Sequence, residues 1–130
     1  MKSSGHRKET EPAPNPYSAR CATRLVLDRI GDKWAVLVLG LLAEEPTRFN
    51  QLRRAIEGVS QKVLSQTLKS LERDGLVRRR AFATVPVTVE YSITPLGQSL
   101  AETVSALRIW AETNIGEVQK AQNRYDRAKQ

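Results

Sequence analysis

The sequence predicts a mainly α-helical domain that carries a small β-hairpin. Two observations lead to this fold class. Up to Gly75 the apolar residues follow helical spacing in several short segments, and the spacing then changes to the alternation typical of strands before it becomes helical again. The chain has 130 residues, of which 40% are hydrophobic, and this is enough for one buried core.

The N-terminal part of the chain contains an arm and two predicted helices. Residues 1–16 are polar and rich in proline, so we expect a disordered arm. A first helix is predicted from Ser18 to about Ile30, before a break at Gly31. Asp32 is a suitable N-cap for a second helix, which is apolar nearly all round and is therefore expected to be buried.

Two further helices are predicted from their capping residues. Asn50 can cap a third helix that ends near Ile56. Ser60 is the expected N-cap of a fourth helix from Gln61 to Arg73, which stops before Gly75 because glycine commonly follows the last helical residue.

The strands follow the fourth helix. Leu76–Phe82 and Val87–Ile93 are rich in β-branched and aromatic residues and alternate roughly between apolar and polar, which predicts a β-hairpin. The connector 46–49, before the third helix, can form a short additional strand.

The last helix is predicted from a threonine cap and a proline. Thr94 precedes Pro95, and proline is favoured at the first helical position. The helix is expected to run towards Gln122, and the charged residues 123–130 are expected to fray. The folded domain should therefore span residues 17–122.

The second, third and fourth helices, followed by the hairpin, have the element order of a winged helix-turn-helix domain. In the fourth helix, one arc of about 140° holds amide, hydroxyl and cationic side chains over most of its length, with the acid Glu72 only at the far end, while the opposite arc is mainly apolar. Amide, hydroxyl and cationic groups are the side chains that read the edges of bases in a major groove. The predicted DNA-binding residues of this helix are Ser60, Gln61, Lys62, Ser65, Gln66 and Lys69.

The distribution of charge supports contact with DNA. From Gln61 to Arg80 the chain carries six cations and two acids, so this segment holds +4 of the net charge of +7. In the hairpin, alternation puts Arg78 and Arg80 on one face and Arg79 on the other. Their role is either to contact phosphates, which strengthens binding without reading sequence, or simply to solvate the outer face of the hairpin.

Five motifs occur along the chain in a fixed order. They are Ile30-Gly31-Asp32-Lys33-Trp34, Arg48-Phe49-Asn50-Gln51-Leu52, Ile56-Glu57-Gly58-Val59-Ser60-Gln61-Lys62-Val63-Leu64, Leu71-Glu72-Arg73-Asp74-Gly75-Leu76-Val77 and Val89-Glu90-Tyr91-Ser92-Ile93-Thr94-Pro95-Leu96-Gly97. With these motifs the chain resembles, from about Cys21 to Trp110, the HxlR family of winged-helix regulators, which is related to the MarR group.

The resemblance implies a transcription factor that binds its operator as a homodimer held by terminal helices. It also implies that the helix after Ser60 is the recognition helix and that Lys33 and Arg48 contact the DNA backbone. Thr88, near the tip of the hairpin, joins Arg78 and Arg80 as a predicted wing contact. The wing departs from the family pattern, because the expected basic residue is missing from Pro86-Val87-Thr88.

Cys21 occupies the position of the cysteine that senses oxidants, electrophiles or aldehydes in members of the family. If Ser18 caps the first helix, the positive helix end and the neighbouring Arg20 and Arg24 lower the pKa of this thiol. The family's proline after the cysteine is replaced by Ala22. Cys21 is therefore either a redox-sensing residue or a small packing residue in a dimer contact.

The last helix carries an apolar stripe longer than a small helical core requires, which predicts a homodimer. A two-fold dimer would bind a pseudo-palindromic operator in double-stranded DNA. The predicted interface residues are Leu25, Val26, Leu107, Trp110 and Ala111.

Other functions fit the sequence less well. No apolar run is long enough to cross a membrane and no signal peptide is recognisable, so we expect a cytoplasmic protein. The chain has one cysteine and one histidine, and the histidine, His6, lies in the arm. These residues cannot form a His- or Cys-based metal or catalytic cluster, so we expect no bound metal, no cofactor and no enzymatic activity. The alternatives are a winged-helix module that binds protein, and a regulator that responds to a small-molecule inducer without thiol chemistry.

Overall fold

The computed structural model describes residues 15–18 and 22–129. The chain divides into a short N-terminal unit that ends at Lys33 and a larger unit that begins at Trp34. Most of the predicted arm and Cys21 lie outside the described residues. The elements are α1 (Ala22–Gly31), α2 (Lys33–Leu42), β1 (Thr47–Arg48), α3 (Phe49–Ala55), α4 (Gln61–Arg73), β2 (Val77–Phe82), β3 (Thr88–Ile93) and α5 (Pro95–Ala128).

The core of the larger unit is built by α2, α3 and α4. The expectation that α2 is buried holds for Ala35, Val38, Leu39 and Leu42, but Leu37 is 44% exposed, so one side of this apolar helix reaches the surface. The other buried core residues are Leu52, Ile56, Val59, Leu64, Leu68, Leu71, Leu76 and Val77. Because apolar groups from three helices and the first residues of the hairpin share this cluster, the core fixes the orientation of α4.

Helix α3 begins earlier than the sequence predicted. Asn50 is not its N-cap, because the helix starts at Phe49 and Arg48 occupies the N-cap position in an extended conformation. The Gln51 side chain accepts a hydrogen bond from the backbone N–H of Arg48 at 3.1 Å. A free N–H group at the helix start is thereby satisfied from within the helix, so no capping asparagine is needed there.

The sheet has three antiparallel strands in the order β1-β3-β2. The predicted hairpin corresponds to β2 and β3, and the connector before α3 does form the short strand β1. β1 adds to the outer side of β3, so the hairpin is joined to the helical part of the domain by main-chain pairing as well as by the core.

Thr94 fixes the start of α5. Its N–H donates to the carbonyl of Leu76 at 3.1 Å, and its hydroxyl donates to the carbonyl of Gly75 at 2.7 Å and accepts from the N–H of Gly97 at 3.0 Å. The backbone at Gly97 lies so close to Leu76 that a Cβ there would clash with the Leu76 carbonyl and with Ile93. The predicted cap is thus confirmed, and it ties α5 to the turn after α4.

The last helix ends later than expected. Residues 123–128 are helical rather than frayed, because α5 continues to Ala128 and is 34 residues long. Arg124, Arg127 and Ala128 of this last stretch are good helix formers, and a helix already nucleated on the core extends through it at little cost. Only Gly97, Ala101 and Val104 of α5 are buried, so the helix leaves the core after its first three turns.

Candidate nucleic-acid interface

A short turn and a serine position the predicted recognition helix. Gly58 has a φ of +91°, a conformation that favours glycine, and the buried Val59 anchors the chain just before the helix. The hydroxyl of Ser60 accepts a hydrogen bond from the N–H of Val63 at 3.1 Å. The predicted N-cap and both ends of α4 are therefore confirmed, and Gly75, with a φ of +77°, follows the helix end as expected.

The two faces of α4 differ as the spacing predicted. Leu64, Thr67, Leu68 and Leu71 are buried against the core. On the other face Ser65 is half-buried, and Ser60, Gln61, Lys62, Gln66, Lys69 and Arg73 are exposed. The sequence places no acid in the first turn of α4, and this helix end also carries the positive end of the helix dipole. One surface thus combines hydrogen-bonding groups, cations and a positive helix end.

The acids of this region lie at the other end of the helix. Glu72 is exposed in the last turn, and Asp74 is the C-cap residue. At 1.5 Å per residue, the 13 residues of α4 span about 20 Å, so these carboxylates are far from the helix start. A helix that enters a groove with its N-terminal end would hold them away from the phosphates.

The register of the hairpin confirms the predicted faces of the three arginines. Arg78 pairs with Ser92 and Arg80 with Glu90, whereas Arg79 pairs with Tyr91. Side chains that alternate along a strand point to opposite faces, so Arg78 and Arg80 share one face and Arg79 lies on the other. All three are exposed, and the guanidinium of Arg80 lies 5.2 Å from the centre of the Phe82 ring, a cation–π contact that limits its movement.

The remaining predicted backbone contacts lie in three places. Arg48 is exposed at the junction of β1 and α3, and in the register of the sheet it lies opposite Glu90 of β3. Lys33 is the exposed first residue of α2 and belongs to the N-terminal unit. Thr88 is half-buried, and its hydroxyl already forms a 2.8 Å hydrogen bond with the hydroxyl of Thr84 across the hairpin loop.

The tip of the hairpin is apolar and closely tied. The hydroxyl of Thr84 donates to the carbonyl of Pro86 at 2.7 Å, and the N–H of Thr84 donates to the carbonyl of Phe82 at 2.8 Å. Val85 is fully exposed and Val87 is 68% exposed. The tip therefore offers apolar groups to a partner, and the nearest cations lie further back on β2.

The predicted dimer residues are exposed. On α5, Leu107 is 52% and Trp110 is 61% exposed, and Ala111 is also exposed. In the N-terminal unit, Leu25 and Val26 are 59% and 50% exposed. Large apolar side chains left in contact with water along one helix are typical of a surface that binds another protein chain.

A cavity of about 680 Å³ lies between α2, the end of α3 and the first half of α5. Its walls include Val36, Leu41, Ala101 and Val104, and Glu44 and Arg108 also line it. The sequence pattern did not reveal it, because it depends on how distant helices pack. Cavities of this size can hold small organic molecules.

The described residues contain no helix long and apolar enough to cross a membrane. Likewise, no group of three or more potential metal-ligating side chains comes together in the part of the chain that the structure describes.

Comparison with known proteins identifies the family. The profile of the HxlR-like helix-turn-helix family matches residues 29–119. The HTH-type transcriptional regulator YtfH of Escherichia coli K12 is 47% identical over 104 residues, which cover 80% of this chain and 82% of YtfH. The chain belongs to the HxlR-like helix-turn-helix family.

Solved structures of similar regulators share the fold. The transcriptional regulator YtfH from Salmonella typhimurium matches with a TM-score of 0.80 and 40% identity over 85% of this chain and 99% of the other. The redox regulator HypR in its reduced form matches with a TM-score of 0.71 and 34% identity over 75% of this chain and 97% of HypR. This HxlR-type chain is therefore a winged-helix, DNA-binding transcriptional regulator and not an enzyme.

Proposed function

We propose that this regulator binds a specific, pseudo-palindromic operator as a homodimer, with the exposed face of α4 in the major groove. The observation that carries the proposal is the exposed face of α4, which begins at the Ser60 cap, includes Gln61, Lys62 and Gln66, and has no acid in its first turn. Gln can pair with adenine through two hydrogen bonds, and Lys reaches the acceptors of guanine. The arginines of the wing and Arg48 supply contacts to phosphates.

Fluorescence anisotropy tests operator binding. Labelled DNA from upstream of the protein's own gene is titrated at several salt concentrations against a scrambled competitor. Binding that survives the competitor at physiological salt supports the proposal. Equal, weak binding to both DNAs that modest salt abolishes contradicts sequence specificity, and no binding at low salt favours a module that binds protein.

The homodimer is supported by the exposed apolar side of α5. Beyond Val104 this helix contributes nothing to the buried core, yet it exposes Leu107 and Trp110. In a two-fold dimer the two recognition helices would lie about 34 Å apart, or a multiple of this distance, to meet successive turns of DNA. Leu25 and Val26 of α1 are likewise predicted to contact the partner subunit.

Sedimentation of two matched variants tests this interface. Leu107 and Ile109 are similarly exposed, at 52% and 54%. Residues two positions apart in an α-helix are rotated by about 200° around its axis, so these two side chains lie on opposite sides of α5. We expect Leu107→Glu to dissociate the dimer and Ile109→Glu to leave it intact. Dissociation by both variants or by neither would contradict an interface on the Leu107 side.

We further propose that Cys21 makes the regulator sensitive to oxidants or electrophiles. The support is the position of this cysteine in the family pattern and the likeness to the redox regulator HypR. With one cysteine per chain, the oxidised product is a disulfide between subunits, a mixed disulfide or a sulfenic acid. Cys21→Ser should keep operator binding and lose the response to diamide. An equal response in wild type and variant would contradict the thiol switch and favour an inducer in the cavity beside α5.

A further inference from the structure

The outer face of the sheet holds a row of three charged residues, one from each strand. Glu90 of the central strand β3 pairs with Arg48 of β1 on one side and with Arg80 of β2 on the other. Residues directly opposite each other in antiparallel strands project from the same face, with Cβ atoms about 4.5–5.5 Å apart. The carboxylate therefore lies between two arginines in the register, although the described side chains form no ion pair in this row.

The neighbouring rows on this face lack a second acid. Arg78 pairs with Ser92, and Phe82 pairs with Thr88. Glu90 is the only acid in the two long strands, and it is half-buried, whereas Arg48 and Arg80 are exposed. The guanidinium of Arg80 lies against the Phe82 ring, and the backbone of Arg48 is held by a hydrogen bond from its N–H to the side chain of Gln51.

An acid on a DNA-binding surface would ordinarily weaken binding, because it repels phosphates. Its place in this row suggests the opposite effect. An arginine side chain loses rotamer freedom when it is fixed on a phosphate, and a nearby carboxylate that attracts it towards this face favours fewer rotamers and so reduces this cost. The row also joins two parts of the interface, since Arg48 leads into α3 of the helix-turn-helix and Arg80 belongs to the wing.

We propose that Glu90 is a positioning residue that orders Arg48 and Arg80 for contact with the DNA backbone. The inference rests on the proposed operator binding. Glu90 itself does not touch DNA, and its negative charge is useful because it acts through the two arginines.

The first experiment compares Glu90→Gln with Glu72→Gln by anisotropy titration on the operator over a range of salt concentrations. Both variants remove one negative charge, but Glu72 is an exposed residue at the end of α4 and has no arginine paired across a strand. We expect Glu90→Gln to bind about three- to tenfold more weakly, since the negative charge between the two cross-strand arginines is lost. Its salt slope should also fall by about one to two units as phosphate contacts loosen.

The control variant should show the simple effect of charge. Glu72→Gln is expected to bind the operator equally or about twofold more tightly, with an unchanged salt slope. Glu90→Asp keeps the carboxylate and should restore most of the affinity that Glu90→Gln loses. Thermal melts of each variant verify that the domain is folded.

Removing Glu90 in a background that already lacks both arginines separates positioning from a structural role. In the Arg48→Gln, Arg80→Gln background, Glu90→Gln should no longer weaken binding. The proposal is overturned if Glu90→Gln binds as tightly as Glu72→Gln, or if its loss persists in this background. Failure of the wild type to bind any operator would instead overturn the proposed function, so the two failures are distinguishable.

Discussion

The recognition helix α4 and the wing formed by β2 and β3 are both basic, but they are held in different ways. Helix α4 is half embedded in the core through Leu64, Leu68 and Leu71, each at most 1% exposed. In the wing, every residue after Val77 is exposed or half-buried. The part that is predicted to read bases is therefore rigidly oriented, whereas the part predicted to contact phosphates depends on neighbours across strands. Rigidity and base reading belong together because a displaced side chain loses its hydrogen bonds.

The strongest test of this difference is stability. Leu68→Ala should lower the free energy of unfolding by about 2–5 kcal/mol, because a cavity opens beneath α4. Arg80→Ala in the wing and Leu96→Ala, at a residue 59% exposed on α5, should change it by less than about 0.5 kcal/mol. Chemical denaturation measures all three. A similar loss in Arg80→Ala would mean that the wing supports the core more than its exposure indicates.

Base reading and phosphate contact should separate in binding experiments. Gln66→Ala is expected to weaken operator binding by about 1–3 kcal/mol and to leave binding to scrambled DNA unchanged. Arg78→Ala should instead weaken binding to both DNAs and reduce the salt slope by about one unit. Titration of each variant on both DNAs distinguishes these outcomes. If Gln66→Ala loses the same affinity for both DNAs, Gln66 does not read bases.

The same contrast decides how much could be predicted from the sequence. The bounds of α4, its Ser60 cap and its two faces are local properties, written in the spacing of neighbouring residues, and the structure confirms them. The Thr94 cap of α5 was predictable for the same reason. The exposed positions of most predicted DNA contacts follow from these elements, whereas Ser65 and Thr88 are half-buried.

The contacts between distant segments were not predictable. Nothing in the spacing of residues 46–49 tells which strand β1 joins, so the row of Arg48, Glu90 and Arg80 is visible only in the register. The predicted start of α3 was wrong. Local preference favoured Asn50 as the cap, but the side chain of Gln51 accepts a hydrogen bond from the N–H of Arg48 at the helix start. The cavity beside α5 likewise depends on tertiary packing.

A smaller effect should separate folding from binding at the start of α4. Ser60→Ala should destabilise the domain by about 1 kcal/mol, because the N–H of Val63 loses its acceptor. Ser60→Asp keeps an acceptor and should keep the stability, yet it places a negative charge where phosphate is expected and should weaken DNA binding several-fold. Thermal melts and anisotropy titrations are compared for the two variants. Undiminished DNA binding by Ser60→Asp would contradict entry of this helix end into the groove.

The smallest effect is expected at the tip of the wing. Val85 is fully exposed and carries no charge, so Val85→Lys should add one phosphate contact without disturbing the core. Binding to operator and scrambled DNA should both strengthen, by about two- to fivefold, and the salt slope should rise by about one unit. Val85→Gln controls for the change in polarity and should leave the slope unchanged. If Val85→Lys changes binding to neither DNA, the tip does not approach the DNA backbone. The phosphate contacts of the wing are then confined to the arginines of β2.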